Sequence, residues 1–232
     1  MKVLLVVDVQ NDFCPGGNLA VGEGDTIVPI VNELMGSRNF DVIVASKDWH
    51  PAGHVSFAAN HPGKKVFDEI KANGIKQILW PSHCVQGTLG AEFHPCLEAS
   101  RIDYVIQKGK RTDLDSYSAF FDNAHLGETE LKATLNWEHQ KFGKRGESIT
   151  VYVCGLALDY CVAATARDAR MLGYETKIIL DATRPVNADI KAVSDLLRDL
   201  KDLGIEVVES REILAQNRDV SREPDRGQQL QA

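Results

Sequence analysis

Apolar residues along this chain fall into short, nearly continuous runs rich in valine and isoleucine, separated by segments in which they recur every three or four positions. The runs VLLVVD at 3–8, DVIVAS at 41–46, YVIQ at 104–107, ITVYVCG at 149–155, TKIILD at 176–181 and IEVV at 205–208 are the predicted strands. A strand with one wet face alternates apolar and polar residues. These do not, so both faces are expected to be covered, as in a parallel sheet between helices. Over 187–203, Ile190, Val193, Leu196, Leu197, Leu200 and Leu203 keep a three-four spacing that Gly204 closes. Over 26–35, Ile27, Ile30, Val31 and Leu34 share a face, with Asp25 placed to cap the N-terminus. An alanine-rich stretch at 163–172 follows directly on Cys161, which is expected to begin that helix, and stops at Gly173. Strands and helices in this alternation wind right-handed, so the expected fold is α/β: a doubly wound three-layer α/β/α domain with a six-stranded, mainly parallel sheet.

Two stretches break the pattern. Residues 51–126 hold one predicted strand among several Gly and Pro, which is long for a connection and typical of lids or binding loops. Residues 216–232 are polar and nearly free of apolar side chains, so a single domain is expected over 1–215, followed by a disordered tail.

Composition narrows the partners. The 232 residues are 44% hydrophobic and 25% charged, enough for one sizeable core. A net charge of −7 argues against nucleic acid, which selects a basic face. No run approaches the roughly 20 apolar residues of a membrane helix, and the N-terminus carries no signal-peptide pattern. The five cysteines (Cys14, Cys84, Cys96, Cys154 and Cys161) are odd in number and form no CxxC pair, which reads as free thiols in a reducing compartment. The expectation is a cytoplasmic protein with a small-molecule substrate and neither nucleic-acid nor membrane partners; a homo-oligomer stays open.

Ligands of open parallel sheets bind beyond the carboxyl ends of the strands, so the polar residues there carry the chemistry. The first predicted strand ends at Asp8, the second leads to Asp48 and His50, the third to Lys108, and the fourth through GLALDY to Cys161. A thiol at the start of a helix gains from unpaired backbone N–H groups and the helix dipole, which also suit a developing oxyanion. Asp8 reads as the base toward that thiol and Lys108 as the cation that makes the charges tolerable in a dry pocket. In KDWHPAGHVSF and PSHC, Asp48, His50, His54 and His83 form a carboxylate-imidazole set suited to zinc, iron or manganese. His94, in GAEFHP, has no evident ligand partner.

The segments DVQNDFCPGGNLAV, SKDWHPAGHVSF, WPSHCVQGTLGAEFHP, QKG, DSYSAFFDN and GLALDYCVAATARDA resemble, in order, those of the nicotinamidases (pyrazinamidases) within the isochorismatase-like hydrolases. The resemblance implies a metal-containing cysteine amidohydrolase that converts nicotinamide to nicotinate and ammonia through a thioester, and pyrazinamide to pyrazinoate, in NAD salvage. It makes Asp8, Lys108 and Cys161 the catalytic triad, and Asp48, His50 and His83 the ligands of one divalent ion, zinc first, with iron or manganese as alternatives. His54 matches a position that is a ligand in some members only. Phe13, Trp80 and Tyr117 match the ring pocket, the N–H groups of Ala157 and Cys161 the oxyanion hole, and Leu156–Ala157 a cis peptide. Leu158 departs from the usual Thr, where a missing hydroxyl bears on hydrogen bonding near the oxyanion hole. The segment FDEIKANGIKQI, 67–78, makes the His54–His83 spacing longer than in many members, and 128–145 is unplaced. Two other readings stand beside this one: a related hydrolase of a non-pyridine substrate, and a non-catalytic metal or thiol sensor.

Overall fold

The structure is a computed structural model that describes residues 1–143 and 147–220. Six strands form one parallel sheet: β1 (Lys2–Val7), β2 (Val42–Asp48), β5 (Tyr104–Lys108), β6 (Thr150–Leu156), β7 (Glu175–Arg184) and β8 (Glu206–Val208), in the order β5-β2-β1-β6-β7-β8. The chain first winds outward from β1 through β2 to β5, then returns to start again beside β1 with β6. The strand order therefore reverses between β1 and β6, where their carboxyl ends diverge to leave a crevice. β1, β2 and β6 are buried almost throughout, which is why their sequences do not alternate.

Helices cover both faces. On one side, α1 (Val28–Gly36) and α5 (Ser210–Val220) enclose Leu4, Val6, Val31, Leu34 and Ile213. On the other, α2 (Leu131–Phe142), α3 (Ala163–Met171) and α4 (Ile190–Asp202) enclose Val3, Leu5, Leu135, Ala166 and Leu200. The backbone of β6 comes close to β1 at Gly155, whose φ is +108°. A Cβ there would lie 2.0 Å from the Val7 carbonyl, so only glycine lets β6 run against β1 at this level.

Several expectations need correction. Asp25 caps nothing: residues Gly24–Ile27 form a tight 3-10 turn that feeds α1, whose start carries no side-chain cap but a Pro in its first turn. The stretch 51–126 contains, besides β5, an antiparallel hairpin of β3 (Glu69–Ala72) and β4 (Ile75–Ile78). α2 accounts for much of 128–145. α5 continues to Val220, into the stretch expected as a tail; residues 221–232 lie outside the described residues. Among the described residues no helix is long and apolar enough to cross a membrane.

Candidate active site

Asp8 leaves β1 in the left-handed region, at φ 49°, a conformation Asp tolerates better than most residues. The turn points its carboxylate under the crevice, where Ser46 Oγ donates to Oδ1 at 2.7 Å. Gln10 then clamps β1 to β2: its amide donates to the Asp48 carbonyl at 2.9 Å and accepts from the Asp48 N–H at 2.8 Å. Lys108, the last residue of β5, is 1% exposed. Its ammonium lies 2.8 Å from Asp8 Oδ2 and 2.5 Å from Asp48 Oδ1, and donates to the Ser116 carbonyl at 2.9 Å and to Cys161 Sγ at 3.4 Å. One acceptor atom each from Asp8, Asp48 and Cys161 falls within 4.8 Å of the others.

Cys161 does not begin an α-helix. It sits in a widened π-turn, Leu158–Val162, that links β6 to α3. The Tyr160 and Val162 amides both donate to the Ala157 carbonyl, at 3.2 and 3.1 Å. The Leu156–Ala157 bond is cis. Ala157 and Cys161 both line the crevice. Leu158 does not: it is buried in the core beneath α3, where an apolar side chain suits the packing.

Burial is the largest influence on every charge in this group. It pushes the Cys161 thiol well above its ordinary value, against the pull of Lys108. It also raises the Asp8 carboxyl, which Lys108 lowers and Asp48 raises further. For Asp48 and Lys108 burial disfavours the charge but loses: Lys108 and His50 hold Asp48 well below the carboxylate range, and Asp48 and Asp8 hold Lys108 well above the ordinary ammonium. The resting arrangement is a protonated thiol beside a firmly charged amine.

Asp48 is shared. While Oδ1 meets Lys108, Oδ2 lies 3.4 Å from His50 Nε2 and 3.7 Å from His83 Nε2. His50 and His83 are each oriented from behind, Nδ1 lying 2.9 Å from the Gly109 carbonyl and 2.8 Å from that of Pro81. Gly109, at φ +65°, is required there: a Cβ would lie 2.3 Å from the His50 ring. Two imidazole lone pairs and a carboxylate oxygen converging in this way fit a divalent ion. His54 is buried and its ring stacks 4.1 Å from that of His50. Burial, with His50 adjacent, pushes its pKa down to about 4. It forms a second buried group with His50 and Asp115.

Above these groups lies a cleft of about 390 Å³, lined by Asp48, His83 and Cys161 at its base and by Phe13, Trp80, Tyr117 and Tyr160 on its walls. That is room for one small ring. Trp80 Nε1 donates to Tyr117 Oη at 3.1 Å, and Tyr160 meets both rings edge-on at 4.9 and 5.6 Å. Asp8 and Lys108 stand behind the cleft, shielded from bulk solvent. Sequence reading missed Tyr160, Asp115 and Gln10, although each lies inside or next to a quoted motif. Adjacency to Cys161 was the available signal for Tyr160. His94 is the acceptor for the Cys96 N–H at 3.3 Å and takes no part in the cleft.

Comparison with known proteins gives the family and the fold. The Isochorismatase domain matches residues 2–212. A curated nicotinamidase of Acinetobacter baylyi is 43% identical over 91% of this chain and 94% of its own. A solved nicotinamidase/pyrazinamidase of Acinetobacter baumanii superposes with a TM-score of 0.83 at 43% identity, covering 92% of this chain and 98% of that one. A Pyrococcus horikoshii pyrazinamidase solved in complex with zinc gives 0.69 at 34% identity, over 90% and 98%. Strand order, crevice and relatives lead to one assignment: this chain belongs to the isochorismatase-domain family of hydrolases.

Proposed function

We propose that this protein is a nicotinamidase, hydrolysing nicotinamide to nicotinate and ammonia, and pyrazinamide to pyrazinoate, in NAD salvage. One observation carries the reading: the Lys108 ammonium sits 2.8 Å from Asp8 and 3.4 Å from the Cys161 sulfur, directly behind a ring-sized aromatic cleft. The likeness to nicotinamidases across most of the chain supports the substrate.

Cys161 is the nucleophile, and Asp8, its carboxyl poised above the ordinary range, takes the thiol proton as sulfur attacks the carboxamide carbon. Lys108 stays charged throughout and offsets the thiolate. The N–H groups of Ala157 and Cys161 hold the oxyanion. Asp8 returns its proton to the departing nitrogen, and ammonia leaves a thioester on Cys161. Water then adds to that carbonyl with Asp8 again the base; nicotinate departs and the thiol is restored. Phe13, Trp80, Tyr117 and Tyr160 position the ring and exclude bulk water.

Asp48, His50 and His83 would hold a divalent metal ion, zinc by preference, with iron or manganese as alternatives. When bound, the ion supplies a Lewis-acid contact for the pyridine nitrogen. Cys161→Ala is expected to abolish ammonia release from nicotinamide while metal content stays near that of the unmodified protein. Retained turnover rejects the nucleophile, and equal or faster hydrolysis of isochorismate than of nicotinamide and pyrazinamide rejects the substrate.

A further inference from the structure

Three imidazoles share one buried cluster, but their ring nitrogens are not equivalent. His50 and His83 each turn Nδ1 to a backbone carbonyl. A carbonyl only accepts, so Nδ1 carries a proton in both rings, and in the neutral form Nε2 keeps its lone pair, near Asp48. His54 is arranged the other way round. Its Nδ1 receives the Ser56 backbone N–H at 3.3 Å and lies 2.7 Å from the Ser56 hydroxyl. An amide N–H only donates. His54 Nδ1 is therefore the acceptor, and the proton of the neutral ring sits on Nε2.

That Nε2 is buried and has no hydrogen-bond partner among the described residues. It lies 4.0 Å from Asp115 Oδ1. Asp115 is fixed on two sides: the Ser116 N–H donates to Oδ1 at 2.8 Å, and Gln77 Nε2, from β4, donates to Oδ2 at 3.2 Å. A separation of 4.0 Å is too long for a direct hydrogen bond. It suits a bent bridge through one water, with legs of about 2.8 Å.

We propose that His54 of this chain is a hydrogen-bond donor and not a metal ligand, its Nε2–H and the Asp115 carboxylate holding one water between them beside the His50–His83 pair. The proposal deepens the reading of Asp48, His50 and His83 as a metal site, and leaves that site with three protein ligands. His54 acts as a positioning residue: through the water it braces Asp115, which lines the cleft. The hairpin β3–β4, which the sequence shows only as an extended spacer, supplies the far end of the brace through Gln77.

Long-range proton–nitrogen correlation spectra of the full chain carrying 15N-histidine, assigned by single His→Gln variants, read each ring directly. Spectra are recorded without metal and with zinc added. His54 is expected to show a protonated Nε2 and a bare Nδ1 in both samples, whereas the Nε2 signals of His50 and His83 shift when zinc is added. A bare His54 Nε2 in the metal-free sample, or a zinc-induced change of it as large as theirs, overturns the proposal. Should zinc bind nowhere, the metal-site reading fails while the metal-free spectrum still decides His54. As a second measure, His54→Gln keeps a donor N–H near the Nε2 position, so zinc affinity is expected to fall by no more than about 100-fold, the range of a residue that braces a ligand without being one. A loss beyond about 100-fold makes His54 a ligand.

Discussion

A lysine ammonium sealed from water between two carboxylates and a thiol is the most consequential arrangement in this protein. Removing one member of a buried charged group leaves the others uncompensated, which costs about 3–5 kcal/mol. Lys108→Met should therefore lower unfolding stability by that amount in a denaturant titration, and ammonia release should fall by about two orders of magnitude or more. A stability loss under about 1 kcal/mol would mean the group behaves as a solvated surface pair. The raised Asp8 carboxyl has its own signature. Asp8 accepts the thiol proton only when ionised, so activity is present above its pKa and disappears as pH falls through it. The acid limb of kcat/KM for nicotinamide is expected above the ordinary carboxylate range, and a limb within or below that range excludes Asp8 as the base. At this scale the sequence was informative where chemistry stood at a strand end: the positions of Asp8, Lys108 and Cys161 were each reasoned from a run of buried residues. Asp115 and Gln10 were not legible. Their importance comes from hydrogen bonds to residues 38 or more positions away, which no local pattern records.

Strands were readable because burial on both faces writes itself into composition, and all six were anticipated with ends displaced by a few residues. Of the helices, α1 and α4 were readable from a three-four spacing and α3 from its alanine-rich run. α4 keeps its three-four spacing and was anticipated. α2, with Leu131 and Leu135 as its buried apolar residues and Trp137 half exposed, carries too narrow a stripe to be seen. α5 offers little beyond Ile213 and Leu214. The hairpin β3–β4 is largely exposed and buries Gln77 but no apolar stripe to read. Caps proved harder than periodicity. Asp25 looked like one and is not, whereas Asp189 is: its carboxylate accepts the Ala192 N–H at 2.8 Å at the head of α4. Asp189→Ala should cost about 1 kcal/mol, or a fall in Tm of about 2–4 °C for a domain of this size. An unchanged Tm would show that water replaces the cap at no cost.

Across the whole molecule, the reversal of strand order between β1 and β6 gathers contributions from four neighbouring strands into one crevice. The fold class and the location of the site followed from that logic, since a doubly wound sheet offers few other places for a ligand. Binding of an ion at Asp48, His50 and His83 should be felt by the entire domain, because only the folded chain assembles the ligands. Stripping with a chelator should lower Tm, and zinc at about 100 times its Kd should restore about 2.7 kcal/mol. No zinc-dependent rise in Tm would reject the site. The two oxygens of Asp48 face different neighbours, one the amine of Lys108 and the other the imidazoles of His50 and His83. Anyone redesigning this protein to work without an ion would thus find that position closed to change. Its replacement would disarm the nucleophile's companions at the same stroke, and the search would have to begin at the histidines.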